Sequence, residues 1–282
     1  MKSYFSLITF SHTIFALPFA LIGFFLGVTQ PGASFEWVDL VFVLLCMVFA
    51  RSAAMAFNRY IDADIDKDNV RTASREIPSG KISKKTALGY VVFNAIAFII
   101  SAGMLNMLCL YLAPVALLVI LGYSLTKRFT WLCHFVLGIG LSLAPIGAYI
   151  AVTEQFQVLP IIFSLAVFTW VAGFDIIYAL QDEDFDKAHH HYSLPAKLGK
   201  SNALLVSIIV HVNTFILLYY AGSYIEFGML YWIGFGLFTA ALVYQHLIVK
   251  PDDLSRVNRA FFTANGIASL VFGSFVITDL LN

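Results

Sequence analysis

Residues 36–71 read E-W-V-D-L-V-F-V-L-L-C-M-V-F-A-R-S-A-A-M-A-F-N-R-Y-I-D-A-D-I-D-K-D-N-V-R. The first part, 36–57, is apolar on all sides for about 20 residues, long enough to cross a bilayer as a helix. A membrane strand would need a short segment of alternating polarity instead. The stretch therefore reads as a spanning helix that runs directly into a dense cluster of charge.

Working outward, the same pattern recurs along the chain and predicts nine spans: 5–28, 36–57, 86–103, 106–125, 131–152, 158–180, 202–221, 228–248 and 260–280. The nearly continuous run from 86 to 125 is divided at Gly103 and Asn106. With 60% hydrophobic and 12% charged residues and a mean hydropathy of +0.84, the 282-residue chain is far more apolar than a soluble domain, which is about half apolar and a quarter charged. The first run is too long for a signal peptide and lacks a small-x-small cleavage site, so it is read as mature structure. The expectation is an all-α polytopic membrane protein forming one domain over 1–282.

Charge placement orients the chain. With Lys2 inside, Arg51 to Lys85, Lys127, Arg128, Lys187 to Lys200 and Lys250 to Arg259 fall on the same side, accounting for all 17 Lys and Arg. Such a partition fits the positive-inside rule and places the long loops in the cytoplasm of a cell whose inner membrane holds the protein. The net charge of zero hides this polarity and argues for no nucleic-acid partner. Cys46, Cys109 and Cys133 fall inside spans without ligand-like spacing and read as small buried hydrophobes.

Two cytoplasmic loops hold most of the polar chemistry. Asn58, Asp62 and Asp66 are spaced i, i+4, i+8, and Tyr178, Asp182 and Asp186 repeat that spacing 120 residues later. On helices continuing out of the membrane, each set lies on one face, so two polar columns can face each other across one cavity. Carboxylates stacked at i, i+4 repel, by a few tenths of a kcal/mol per pair. Bound Mg²⁺, which takes one or two carboxylates together with phosphates and waters, offsets that repulsion. Arg71, Arg75, Lys81, Lys127 and Arg128 lie on the same side and are candidates to clamp a diphosphate. Asp64, Asp68, Glu183 and Asp184 lie off these faces and read as solvated loop. So do His189 to His191. Asp175 is one turn before the second column and is the only charge assigned to the interior of a span, which makes it a functional candidate. His12 and His134 each lie near the cytoplasmic end of a span and either line the cavity or pack as hydrogen-bonded histidines.

The N-x-x-x-D-x-x-x-D column, followed by R-T-x-x-R-x-x-P-S-G and the later D-x-x-Y-x-x-Q-D-x-x-x-D, resembles the UbiA superfamily of intramembrane aromatic prenyltransferases. The nine spans, Y-S-L-T-K-R at 123–128 and S-H-T-I-F-A-L-P-F-A at 11–20 agree with it. The resemblance implies nine helices around a central cavity that opens to lipid and is capped by cytoplasmic loops. It implies Asn58, Asp62 and Asp66 as one Mg²⁺-diphosphate motif and Asp182 and Asp186 as the second. Arg71, Arg75, Tyr123 and Lys127 then hold the diphosphate, and Tyr178 and His12 are candidates to line the substrate cavity. The implied reaction transfers a polyprenyl group from its diphosphate to an aromatic acid, with Asp175 the candidate for activating or orienting that acid.

Two departures narrow the resemblance. Arg59 stands where the commonest form has Asp, as in the branch assigned to 4-hydroxybenzoate polyprenyltransferases and to a related step of menaquinone synthesis. Tyr192 stands where a His is expected before Ser193 to Pro195. Two other classes fit less well. A transporter would need polar residues through the membrane, whereas nearly all the acids sit at one end. A CDP-alcohol phosphotransferase would need a D-G-x-x-A-R opening, which is absent. No obligate protein partner is expected.

Overall fold

The computed structural model describes residues 15–282 and is helical throughout the described span elements. In chain order the helices are α1 (Leu17–Val28), α2 (Trp37–Ile61), α3 (Ala63–Asp68), α4 (Lys84–Gly103), α5 (Met107–Thr126), α6 (Cys133–Thr153) and α7 (Val158–Ala179). They are followed by α8 (Glu183–Ala188), α9 (Leu194–Leu198), α10 (Lys200–Tyr224), α11 (Met229–Ile248) and α12 (Asn265–Leu281). A π-helical turn, Arg259–Ala264, leads into α12. Among the described residues eight helices are long and apolar enough to cross a membrane. The expected first span begins before residue 15 and its described part is α1, so His12 and Lys2 lie outside the described residues.

Local chemistry sets the boundaries. The expected break in the 86–125 run falls where Asn106 caps α5, its Oδ1 accepting the Cys109 N–H at 2.8 Å. The Asn106 amide also donates to the Ile150 and Ala151 carbonyls at 2.9 and 3.1 Å, which ties the start of α5 to the end of α6. At the other end of α4, Ser83 accepts the Thr86 N–H. These caps satisfy backbone groups that no intrahelical partner can reach.

The helices arrange around α7, which packs on α6 and α10, while α1 packs on α6 and α12. In the most apolar stretch of α7 67% of residues are buried, against 17% in α5, so α7 is the central stave and α5 faces lipid. Core aromatics knit the centre: Trp170 of α7 is fully buried and lies against Phe19, Phe174 and Phe238. The α1–α6 crossing is close because Gly23 has no side chain; a Cβ there would stand 1.9 Å from the Pro145 carbonyl oxygen.

The long polar loops gather at one end. Every described Lys and Arg lies there or in the adjoining half of a span. One expectation needs correction. Helix α2 continues to Ile61 and does not end at residue 57, so Arg59 belongs to the helix and not to the loop, while Arg51 lies inside the span as its expected bounds already had it. Arg51 sits ten residues before the helix end, about 15 Å from it, and Asp175 is not the only charge inside a span. No residue between 51 and 61 breaks a helix, and both arginines line the polar cavity described below.

Candidate active site

Both aspartate columns carry a backbone turn of the same kind at their middle residue. Helix α2 stops at Asp62 (φ −88°, ψ 5°) and restarts as α3; after α7 a 3₁₀ turn, Leu180–Asp182, leads into α8, with Asp182 at φ −104°, ψ 5°. The helices therefore bend at the column, where continuous helices were expected. The spacing survives because the Asp66 N–H still donates to the Asp62 carbonyl at 2.7 Å. Within the first column Asn58 Nδ2 donates to Asp62 Oδ2 at 3.0 Å.

The two columns line one polar cavity of about 430 Å³. Its wall holds Asn58, Asp62, Asp66, Arg71, Arg75, Tyr123, Lys127, Asp175, Tyr178, Asp182 and Asp186, and also Arg51, Arg59, Asn69, Arg128, His134 and His191. Lys81 is exposed and does not line it.

Each column aspartate faces a base. Arg128 reaches Asp62 at 3.3 Å, Arg75 reaches Asp66 at 2.6 Å, Arg71 reaches Asp182 at 2.6 Å and Lys127 reaches Asp186 at 2.7 Å. Burial, followed by the neighbouring Asp66 charge, raises the Asp62 carboxyl above its ordinary range despite Arg128. For Lys127, burial works against the charged form, but the Asp186 carboxylate outweighs it and raises the ammonium. Pairing is incomplete. Asp66 Oδ2 and Asp186 Oδ2 are buried without hydrogen-bond partners, while Asp186 Oδ1 has the Lys127 ammonium 2.7 Å away. Orphaned buried oxygens of this kind call for an ion. Among the described residues no three carboxylates or histidines converge into a ready-made metal cage. The donor set fits Mg²⁺, which characteristically binds through one or two carboxylates plus phosphate oxygens.

Several residues behave differently from the sequence expectation. Glu183 is not solvated: it is buried and takes Lys187 at 2.5 Å and Lys200 at 3.7 Å, because α9 turns the chain back and brings the start of α10 against this face. Asp64, Asp68 and Asp184 are exposed as expected. His189 and His190 are also exposed, but His191 is in the cavity wall, 3.9 Å from Asp186. His190 adopts a left-handed φ of 55° that turns the chain inward there. Burial and the adjacent Lys127 charge keep the His191 ring below its ordinary pKa. Tyr192 acts through its backbone, its N–H donating to the Lys127 carbonyl at 2.9 Å.

Residues missed as site candidates include Arg51 and Arg59, whose Nε atoms are shielded from solvent with no hydrogen-bond partner. Neither makes an ion pair with a described residue. A charge within 36–57 was the available signal for Arg51. Phe261 and Phe262 also line the cavity, Phe261 lying 4.2 Å from Tyr178 between ring centroids. Their place could not be read from spacing because the π-helical turn shifts the helical register. His134 donates or accepts at Nδ1 with Asp175 Oδ2, 2.7 Å away, and its Nε2 faces the Leu194 N–H at 3.3 Å.

A second, apolar cavity of about 300 Å³ adjoins the first and shares Arg51, Tyr123 and Leu137 with it. Its walls are α2, α4, α5 and α6, with Cys46 and Cys109 among the lining residues. Along α5 it runs from Tyr123 to Cys109, fourteen residues or about 21 Å.

Over residues 16–267 the chain matches the UbiA prenyltransferase family. A 4-hydroxybenzoate octaprenyltransferase of Aliivibrio fischeri strain ES114 is 31% identical over 242 residues, covering 84% of this chain and 83% of that protein. Its counterpart from Aliivibrio salmonicida is 31% identical over 244 residues, with coverage of 84% and 83%. Among solved structures, the apo structure of a UbiA homolog from Aeropyrum pernix K1 is 32% identical with a TM-score of 0.86, covering 95% of this chain and 98% of that one. A UbiA homolog from Archaeoglobus fulgidus bound to DMAPP and Mg²⁺ shares the fold at 21% identity, with a TM-score of 0.76 and coverage of 99% of both chains.

Proposed function

The chain belongs to the UbiA prenyltransferase family, and from that membership we propose that this polyprenyltransferase moves a polyprenyl group from its diphosphate to an aromatic acid, 4-hydroxybenzoate first, in a Mg²⁺-dependent reaction of quinone synthesis. It works as a single transmembrane domain in the inner membrane, with the polar cavity opening to the cytoplasm where the positive loops lie. The observation that carries this reading is the meeting of a charged cavity and an apolar one at Arg51, Tyr123 and Leu137. A prenyl diphosphate has those two halves, joined at the carbon that reacts.

Asn58, Asp62, Asp66, Asp182 and Asp186 are the residues that would hold Mg²⁺. Bound there, the ion supplies divalent positive charge against the departing diphosphate. Arg71, Arg75 and Lys127, with Tyr123 beside them, hold the phosphate oxygens. The allylic C1–O bond breaks with its electron pair leaving on the diphosphate. Tyr178, Phe261 and Phe262 present aromatic rings near the positive carbon. A ring carbon of the acceptor then bonds to C1, and the displaced ring proton passes to a base.

Arg51 supports an acid as the acceptor. A guanidinium inside a span, without a protein anion among the described residues, is costly unless a ligand pairs with it. Its place at the junction suits a carboxylate held with the aromatic ring close to C1. Asp175, across the cavity wall, is the candidate for the acceptor hydroxyl.

The test is product mass spectrometry with purified protein, Mg²⁺, a polyprenyl diphosphate and a panel of aromatic acids. A 3-polyprenyl-4-hydroxybenzoate that forms only with Mg²⁺ supports the reading, and Mg²⁺-independent turnover removes the metal from it. Turnover with a naphthoate-type acid alone would move the acceptor to the menaquinone pathway.

A further inference from the structure

Asp175 differs from the other carboxylates of the cavity. The four column aspartates each face an arginine or lysine, whereas the hydrogen-bond partner of Asp175 is a histidine. That histidine, His134, begins α6 with its ring almost wholly buried. Its tautomer follows from its second contact. The Leu194 amide can only donate, so Nε2, 3.3 Å away, carries a lone pair. The ring proton of the neutral imidazole is then on Nδ1 and points to Asp175 Oδ2 at 2.7 Å, a short bond of the kind an N–H makes to a carboxylate. Asp175 Oδ1 accepts no hydrogen bond from a described residue, and the residue lines the cavity. One oxygen is clamped and the other is left for a ligand.

From this geometry we propose that His134 is a positioning residue for the acceptor: locked as the Nδ1–H tautomer by the Leu194 backbone, it aims the Asp175 carboxylate at the hydroxyl of the aromatic acid. The proposal rests on the reading of Asp175 as the acceptor contact. A neutral donor suits that task. An arginine in its place would neutralise the carboxylate, while the imidazole N–H fixes its rotation and leaves its charge for the incoming hydroxyl. The Leu194 amide comes from the segment where Ser193 caps α9 and where Leu194 and Pro195 are buried. The loop following the second aspartate column thereby holds the acceptor side of the site as well as the diphosphate side.

The experiment compares His134→Phe, His134→Asn, Asp175→Asn and the double variant His134→Phe/Asp175→Asn, measuring kcat and KM separately for the prenyl diphosphate and for 4-hydroxybenzoate. Asp175→Asn and His134→Phe are each expected to lower kcat/KM for the acceptor by about tenfold or more. The KM for the prenyl diphosphate should stay within about twofold, which shows that the variants are folded. The amide N–H of His134→Asn falls where Nδ1–H was, so this variant should recover most of the acceptor efficiency. The double variant should be no worse than Asp175→Asn. Equal loss for both substrates in His134→Phe, intact acceptor kinetics there, no rescue by Asn, or multiplied effects in the double variant would each overturn the proposal. Asp175→Asn with unchanged acceptor kinetics would instead remove the acceptor role of Asp175 itself, and the proposal with it.

Discussion

The Arg71 guanidinium meets the Asp182 carboxylate through two parallel contacts, Nε to Oδ1 at 3.1 Å and Nη2 to Oδ2 at 2.6 Å. Its third nitrogen, Nη1, donates to the Tyr178 hydroxyl at 3.1 Å, and Asn69 donates to the same Oδ1 at 3.3 Å. The loop following α3 is thus fastened to the end of α7 across 111 residues of sequence. The fork that does this is planar and rigid, which no ammonium can reproduce.

Arg71→Lys should therefore behave as a substantial lesion although the charge is kept. Loss of one preorganised donor at such a site costs about 100-fold in kcat, and Arg71→Ala should reach that level, with Lys intermediate. Steady-state kinetics with varied prenyl diphosphate checks this. An Arg71→Lys variant of full activity would mean that a point charge suffices.

The raised Asp62 carboxyl makes metal binding sensitive to pH. The ion needs the deprotonated carboxylate, so the apparent Mg²⁺ affinity should weaken as pH falls through the range just above the ordinary carboxylate value. For stability the sign is opposite. An acid with a raised folded-state pKa binds more protons folded than unfolded, so the metal-free protein gains stability as pH falls through that window. Asp62→Asn should consequently melt no lower than the parent at neutral pH without Mg²⁺, while losing turnover. Thermal scans and Mg²⁺ titrations at two pH values separate the effects.

Arg51→Met keeps the bulk of the side chain and removes its charge. The KM for 4-hydroxybenzoate should rise by about tenfold or more, because a charged hydrogen bond contributes about 1.5–3 kcal/mol, with the prenyl diphosphate KM little changed. The parent should discriminate against acceptors lacking the carboxylate, and the variant should lose that preference.

Ala113 lines the apolar cavity and is itself buried. Ala113→Trp should block the cavity part-way along α5. Long polyprenyl diphosphates should become poor substrates while a five-carbon donor keeps its rate. Product analysis across donor lengths reads this out.

Gly23→Val places a side chain against the Pro145 carbonyl. Overpacking of this sort costs about 1–3 kcal/mol, and backbone atoms on the receiving side make relief difficult. A lowered melting temperature in detergent is expected, with Mg²⁺ affinity per folded molecule unchanged.

The spanning helices were legible in the sequence because a bilayer accepts little else: a run of about 20 apolar residues must satisfy its own backbone. The boundary at Asn106 could be read because a cap is local chemistry. The columns Asn58–Asp62–Asp66 and Tyr178–Asp182–Asp186 could be read as well, since their spacing is a property of one helix turn. The sequence places Arg51 inside the span 36–57 without marking it as a site residue. Whether a charge is tolerated inside a span depends on a cavity that other helices build.

The aspartate-rich stretches show where local and tertiary information divide. Sequence alone determined that this chain crosses the membrane repeatedly and gathers two matched carboxylate columns at one end, because length, hydropathy and i, i+4 spacing act within a single segment. Tertiary structure alone decided which base faces which carboxylate, that Glu183 is buried, that His191 turns inward and that His134 holds Asp175. Those contacts join residues from different helices, and their partners are set by how the helices pack, which no spacing along the chain records.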